Sequence, residues 1–296
     1  MQRIVILGGG VGGTLAANLF AKRLRRRIDD GAVSVTLVDE GGQHVYQPGF
    51  MYIAMNGDRP ESLSRSERSL LDKRISLRIA RATRIDPEAR QVELEEGEPL
   101  GYDWLIVATG ARIVPHEIEH FEEEAHNFYG VDAAQRLRAA LDAFEGGKVV
   151  IGIAGMPYKC PPAPLEVTLL LESELRDRGL REKSEIHFCS PIARAFTIES
   201  VSEMAAPIFE QKGIEVHTFF NVEGIDPTRH VVQSLEGEEL PYDLLILVPP
   251  HKGQQFLMDS GLAPAPGGWL PTDRHTLEVG DRPNVFALGD ATDLPL

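Results

Sequence analysis

The sequence predicts an α/β protein of two tandem doubly wound units, and three stretches carry that prediction. The all-apolar run Ile4 to Leu7 leads into Gly8-Gly9-Gly10-Val11-Gly12-Gly13 and an Ala/Leu-rich helix, and a second apolar strand follows. The same order of strand, turn, helix and strand begins again at Lys148. A late strand, Asn284 to Leu288, ends in Gly289-Asp290. Apolar strands alternating with helical patterns are the mark of parallel sheets covered on both faces.

In order along the chain, the first helix is expected from Thr14 to about Arg27, and Val33 to Val38 forms the next strand, closed by Asp39-Glu40. Ile75 to Ala80 and Gln91 to Leu94 read as short strands around the turn Asp86-Pro87, and Leu105 to Ala108 as a buried strand closed by Thr109-Gly110. Residues 114–146 read as an acidic crossover and helix, with Glu122-Glu123-Glu124 a solvated face. The second unit comprises the strand 149–154, a helix from about 165 to 178, the strand 185–189, a helix from Ser200 to Lys212, and strands at 214–218 and 244–248. The expected domains are 1–113 plus 270–296, a discontinuous first unit; 114–146, a crossover; and 147–269, a second Rossmann-like unit.

Composition sets the limits. The length, 296 residues, suffices for two cores, and the formal charge of −15 argues against nucleic acid and against binding anionic lipid through the whole surface. Met1-Gln2-Arg3 leads straight into a strand, so a cytoplasmic start without signal peptide is expected. Two cysteines, Cys160 and Cys189, cannot form a disulfide framework, so a thiol role would be chemical. The nine histidines are scattered without metal-ligand spacing, and no metal is expected.

Gly8-x-Gly10-x-x-Gly13 sits between a strand and a helix, as a dinucleotide fingerprint requires. Gly8 permits the turn, Gly10 lets backbone approach a pyrophosphate, Gly13 brings helix against strand, and Gly12 lies in the same cofactor-binding loop. Asp39, with Glu40 beside it, stands where a carboxylate reads a ribose. This motif alone does not choose between NAD and FAD. In the second unit the corresponding turn holds Tyr158-Lys159-Cys160-Pro161-Pro162-Ala163-Pro164, a thiol and three prolines in place of glycines. A helix N-terminus favours a thiolate, and Lys159 would add to this if its ammonium turned inward. The alternative reading of Cys160 is a core thiol. Glu166 can be read as a proton relay or as a first-turn carboxylate favoured by the helix dipole. Cys189 ends the second strand where a nicotinamide nucleotide would need an acid, and Ser190-Pro191 supply none. It reads as core, with a Cys160–Cys189 redox pair as the other possibility.

Trp104 to Ala111 and Asn284 to Ala291 resemble the two later motifs of FAD-dependent pyridine nucleotide-disulfide oxidoreductases. The resemblance implies FAD in the first unit, held by the glycine loop, Asp39, Glu40, Ala82, Thr109, Gly110, Gly289 and Asp290. His44-Val45-Tyr46-Gln47-Pro48-Gly49-Phe50 resembles a loop of the sulfide:quinone oxidoreductase branch and of type II NADH dehydrogenases. Lys159 to Glu166 resembles the cysteine-proline turn of the sulfide:quinone oxidoreductase and flavocytochrome c sulfide dehydrogenase branch. This implies a redox thiol at Cys160 beside the flavin, with Glu166 near it, sulfide and a quinone as substrates, and a peripheral place on the cytoplasmic face of a membrane. A homo-oligomer is compatible with it. The chain stops six residues past Asp290, before the family's second redox cysteine and its membrane-docking helices, so a fragment is expected. The competing expectations are a cytochrome-linked sulfide dehydrogenase subunit, a type II NADH dehydrogenase, and a non-catalytic FAD-binding redox sensor.

Overall fold

The computed structural model describes residues 1–264 and 266–295. Ten strands make its two largest sheets: β1 (Gln2–Leu7), β2 (Val33–Asp39), β3 (Ser76–Ile79), β4 (Trp104–Val107), β5 (Gly147–Ile153), β6 (Ser184–Ser190), β7 (Ile214–Thr218), β8 (Leu244–Val248), β9 (Glu278–Val279) and β10 (Arg282–Ala287). The helices that matter below are α1 (Val11–Arg23), α2 (Phe50–Asn56), α3 (Val131–Ala143), α4 (Ala163–Asp177) and α5 (Glu199–Gln211).

The first unit comprises Met1–Val45, Ser64–Arg112 and Lys252–Leu296. Its sheet runs β9-β10-β4-β1-β2-β3, parallel except where β9 pairs antiparallel with β10. One face packs Val5, Leu7, Leu105, Val107 and Val285 into a core shared with Ile85 and Val92 of an antiparallel meander. The other face packs Ile4, Ile6, Val35 and Leu37 against Ala17 and Ala21 of α1. Strands covered on both faces need apolar residues on both, which is why these runs are continuous and not alternating. The helix expected to reach Arg27 breaks at Leu24, where φ is −103° and ψ 15°, and a separate turn spans Arg25–Asp29.

The second unit comprises Tyr46–Leu63 and Ile113–His251. Its parallel sheet runs β7-β6-β5-β8. These bounds differ from the expected ones. Residues 113–146 belong to this unit and are not a free-standing crossover. The segment 46–63 joins it because Arg138 of α3 donates to the carbonyls of Ala54 and Met55 at the end of α2. Residues 252–269 belong with the first unit. The triple glutamate is also less solvated than expected, since Glu124 accepts the Tyr242 hydroxyl at 2.7 Å.

Two local devices recur in both units. Asp86 accepts the amides of Glu88 and Ala89, and Asp226 those of Thr228 and Arg229, closing the Ile-Asp-Pro turns of the two meanders. Asp103 accepts the Arg3 amide and Asp243 the Lys148 amide, each at 2.7 Å, anchoring the first strand of its sheet.

Candidate functional site

In the first unit, three motifs converge because their strands are neighbours. Gly8 N donates to Val38 O at 2.8 Å, Ala108 N to Leu7 O at 2.8 Å, and Leu288 N to Val107 O at 2.9 Å. The glycine loop, the Thr109-Gly110 turn and the Gly289-Asp290 turn thus leave the same sheet edge side by side. A Cβ on Gly12 would lie 3.7 Å from Leu288 Cβ and 3.9 Å from Ala108 Cβ.

The glycines have separate reasons. Gly8 has φ +100°, and a Cβ there would meet Ala108 O at 2.4 Å; on Gly13 it would meet Gly8 O at 1.9 Å. Both are demanded by the fold. Gly10 is different: it is extended, and a Cβ on it would have nothing within 4 Å. Its lack of a side chain leaves open the space before α1, whose first turn has no side-chain cap and so presents N–H groups to an anion.

Asp39 was expected to read a ribose. Its Oδ2 accepts Gly9 N at 2.8 Å, and its Oδ1 accepts Gly41 N at 3.1 Å and Gly42 N at 2.7 Å. Three of a carboxylate's roughly four lone-pair positions are therefore used by backbone, and a ribose would share the carboxylate with the loop it shapes. Glu40 is exposed and faces Arg81 at 3.7 Å. A cavity of about 510 Å³ opens at this sheet edge, lined by Gly8, Asp39, Glu40, Ala82, Thr109 and Arg112 among others. Thr109 Oγ1 is buried there with no hydrogen-bond partner among the described residues, a donor and acceptor left for a ligand. Gly110 (φ +64°) and Gly289 (φ +63°) take left-handed turns beside it, and Asp290 is partly exposed in the turn Gly289–Ala291. The residues fit a dinucleotide: an open uncapped helix start, a carboxylate, and a cavity with an orphaned hydroxyl.

Sequence reasoning missed the support under the loop. Glu67 is fully buried; its Oε1 accepts the Thr14 hydroxyl at 2.7 Å, and its Oε2 lies 3.3 Å from His44 Nδ1. His44 Nδ1 also lies 2.9 Å from Gly9 O. No local pattern marks Glu67, because its burial depends on contacts across 53 residues.

In the second unit, Cys160 is exposed and has φ +53°, a left-handed conformation that costs a non-glycine residue roughly 1–2 kcal/mol. Its neighbours are tied down on all sides. The Tyr129 hydroxyl donates to Lys159 O at 3.0 Å, the Tyr158 hydroxyl to Pro161 O at 3.2 Å, and Ala163 N to Cys160 O at 3.0 Å. Lys159 Nζ donates to Gln47 Oε1 at 3.2 Å, which ties this turn to the loop after His44. Of the three first-turn N–H groups of α4, those of Ala163 and Glu166 already bond Cys160 O and Pro162 O. Support for a thiolate from the helix therefore comes through its dipole more than through direct donors. Glu166 is exposed on the first turn.

Two aromatic groups sharpen the environment. Burial, with the neighbouring thiol adding to it, pushes the Tyr158 hydroxyl up to about 12. His251, packed edge-on against Tyr129 at 4.9 Å, is lowered to about 4 mainly by burial, so the ring is neutral at pH 7. Neither Tyr129 nor His251 lies in the cysteine motif, and neither was foreseen. Cys189 is a separate buried thiol, raised by burial and then by Glu238 and Glu215, and so inert at neutral pH. Ser190 occupies in β6 the place Asp39 holds in β2, and its hydroxyl donates to Arg194 O at 2.6 Å. The second unit thus lacks the glycine loop of the first and carries a serine where the first carries Asp39.

The sequence profile of the family described as pyridine nucleotide-disulphide oxidoreductase matches residues 2–295. A mitochondrial sulfide:quinone oxidoreductase of Mus musculus is 28% identical over 304 residues, covering 99% of this chain and 66% of its own. A sulfide-quinone reductase of Aquifex aeolicus (strain VF5) is 26% identical over 306 residues, covering 99% of this chain and 69% of its own. The crystal structure of the sulfide:quinone oxidoreductase from that hyperthermophilic bacterium superposes with a TM-score of 0.88 at 23% identity, over 100% of this chain and 70% of that one, which establishes the fold. The chain spans about two thirds of the length of the curated relatives it matches.

Proposed function

Because this chain belongs to the pyridine nucleotide-disulphide oxidoreductase family, whose members are FAD-dependent oxidoreductases, we propose that it is the greater part of a flavoprotein that oxidises sulfide and passes the electrons to a quinone. The net reaction takes two electrons and two protons from hydrogen sulfide, leaves sulfane sulfur, and yields a quinol. The observation that carries this reading is the exposed thiol of Cys160, held left-handed in the slot where a nucleotide-binding turn would stand.

The glycine loop, Asp39, Ala82, Thr109 and the turns at Gly110 and Gly289-Asp290 would hold FAD, with Glu40 at the rim. When bound, the flavin supplies the step that joins a two-electron sulfur donor to a quinone. Sulfide would attack a sulfur bridge that has Cys160 at one end: an S–S bond forms to the sulfide sulfur as the bridge bond breaks, and the thiolate released is the electron donor. The rigid turn fixes its Sγ, and the dipole of α4 favours the anion over the thiol. Glu166, exposed one turn along, exchanges protons with solvent. Of the two thiols Cys160 is exposed and Cys189 buried, so Cys160 is the one that sulfide reaches. A lipid-soluble quinone would bring the enzyme to a membrane surface; among the described residues no helix is long and apolar enough to cross a membrane.

The test uses the full-length protein loaded with FAD under anaerobic conditions. Sulfide should bleach the flavin and a short-chain quinone should restore it, while NADH leaves the spectrum unchanged. Cys160→Ala should keep its FAD and lose bleaching by sulfide; Glu166→Gln should keep bleaching and slow quinone turnover. Bleaching by NADH alone would overturn the reading, and full sulfide kinetics in Cys160→Ala would remove the thiol from it.

A further inference from the structure

The strands β6 and β7 each carry the tripeptide pattern Glu-x-His, as Glu185-Ile186-His187 and Glu215-Val216-His217. The register places His187 opposite Glu215 and Cys189 opposite His217. Alternate residues of a strand share a face, so both histidines and both glutamates project from the same side of the sheet. His187 Nδ1 lies 3.0 Å from His217 Nε2 and 3.5 Å from Glu215 Oε2, and His217 Nε2 lies 3.7 Å from Glu215 Oε1.

We infer that His187, His217 and Glu215 form a binding site for a divalent transition-metal ion of the zinc class, unconnected with the flavin chemistry. An ion bonded to nitrogen and oxygen at about 2.0–2.2 Å in tetrahedral geometry requires donors spaced roughly 3.3–3.6 Å apart. The two nitrogens are 3.0 Å apart, each has a different oxygen of Glu215 at 3.5 or 3.7 Å, and one donor atom from each residue falls within 4.8 Å of the others, so small side-chain rotations bring the three to that spacing. Two imidazoles and one carboxylate suit zinc, cobalt or nickel and not the all-oxygen preference of calcium or magnesium. The histidine side chains are 11% and 10% exposed and that of Glu215 is 66% exposed, so the ion enters from the glutamate side and keeps water in its fourth position.

The hydrogen bonding points the same way. Glu238 Oε1 lies 2.6 Å from His217 Nδ1. A carboxylate only accepts, so that nitrogen carries the proton and His217 Nε2 is a lone pair. His187 Nδ1–H then donates to it, and in the neutral ring His187 Nε2 is left as a second lone pair. That atom is buried, has no hydrogen-bond partner among the described residues, and lies 3.6 Å from the Glu185 carboxylate. A metal on His187 Nδ1 and His217 Nε2 removes the conflict. The displaced proton moves to His187 Nε2 and faces Glu185, while Glu238 goes on holding His217. Carboxylates behind both ligating rings are the arrangement that orients metal-binding histidines.

The experiment titrates Zn(II) into the metal-free full-length protein by calorimetry and follows Co(II) by its visible d–d absorption, in wild type and in Cys160→Ala, which removes the exposed thiol as a competing ligand. Both should show one saturable site with a tetrahedral cobalt spectrum. Glu215→Gln, at an exposed position where the fold tolerates change, and His217→Gln should each weaken binding at least tenfold. Glu238→Gln should weaken it about 10–100-fold, and His275→Gln should leave it unchanged. Absence of saturable binding would overturn the inference. So would equal binding by wild type, Glu215→Gln and His217→Gln.

Discussion

Asp39 accepts the amide proton of Gly9 at 2.8 Å, so the acid that closes the second strand also fixes the shape of the glycine loop beside it. With Gly41 and Gly42 on its other oxygen, this carboxylate holds two turns at once. Asp39→Asn keeps the volume but turns an NH₂ group toward one set of these donors. Hydrogen bonds to a charged group contribute about 1.5–3 kcal/mol, and a loss of that size is expected in urea unfolding, with weakened FAD retention on gel filtration. Unchanged stability would mean that the loop keeps its shape without Asp39.

Gly10 and Gly13 should separate the needs of the ligand from those of the fold. A Cβ on Gly13 collides with Gly8 O, a backbone atom that cannot step aside; overpacking costs about 1–3 kcal/mol even where side chains can adjust. Gly13→Ala should therefore lower the melting temperature of the FAD-free protein. Gly10→Ala places its methyl in open space at a backbone conformation any residue adopts. It should melt as wild type without FAD and yet bind FAD poorly, because the proposed site would bring a pyrophosphate into the space the methyl fills. Equal FAD affinity in Gly10→Ala and wild type would contradict the phosphate role.

Glu172 of α4 is fully buried among cations, hydrogen-bonded to Arg176 and Lys212, with the Arg181 guanidinium 3.7 Å away. Burial alone would raise its carboxyl, but the hydrogen bonds from Lys212 and Arg176 prevail and hold it below its ordinary 4.5. Removing one partner of a buried ion pair costs about 3–5 kcal/mol, and Glu172→Gln should lose on that order at pH 7. A carboxylate lowered in the folded state stabilises above its unfolded pKa, and that stability is lost as pH falls below about 4.5. The difference between wild type and Glu172→Gln should therefore shrink on acidification. A gap independent of pH between 7 and 3 would show that packing, not charge, accounts for it.

The parallel strands were legible because burial on both faces writes them as continuous apolar runs, and β8 falls where Leu244 to Val248 predicted it. The three motifs of the proposed flavin site were legible because each is local: a glycine turn, or a strand closed by Thr-Gly or Gly-Asp. What escaped depends on tertiary placement. Glu67 reads as an ordinary surface acid until the fold buries it against Thr14. Segment 46–63 follows the first unit's second strand but is captured by Arg138, a residue more than 80 positions away. His187 and His217 are 30 residues apart, and only the register between their strands makes them neighbours.

His251 offers a test of the surroundings of the cysteine turn through pH. Burial, in part offset by the hydrogen bond to Pro249 O at 2.7 Å, and then the charge of Lys159 lower its pKa from 6.5 to about 4. Between those values the unfolded chain takes up a proton that the folded one refuses, so stability rises with pH across this window and is fully present above about 6.5. A difference of 2.5 units is worth about 3 kcal/mol, lost progressively from pH 6.5 to pH 4. His251→Gln carries no titrating ring, so its unfolding free energy should fall less steeply over the same range, the two curves converging toward pH 4. Guanidinium unfolding at half-unit steps of pH measures both slopes. Parallel curves for wild type and variant would show that His251 is protonated without cost, and would withdraw the neutral imidazole beside Tyr129 from the description of the turn.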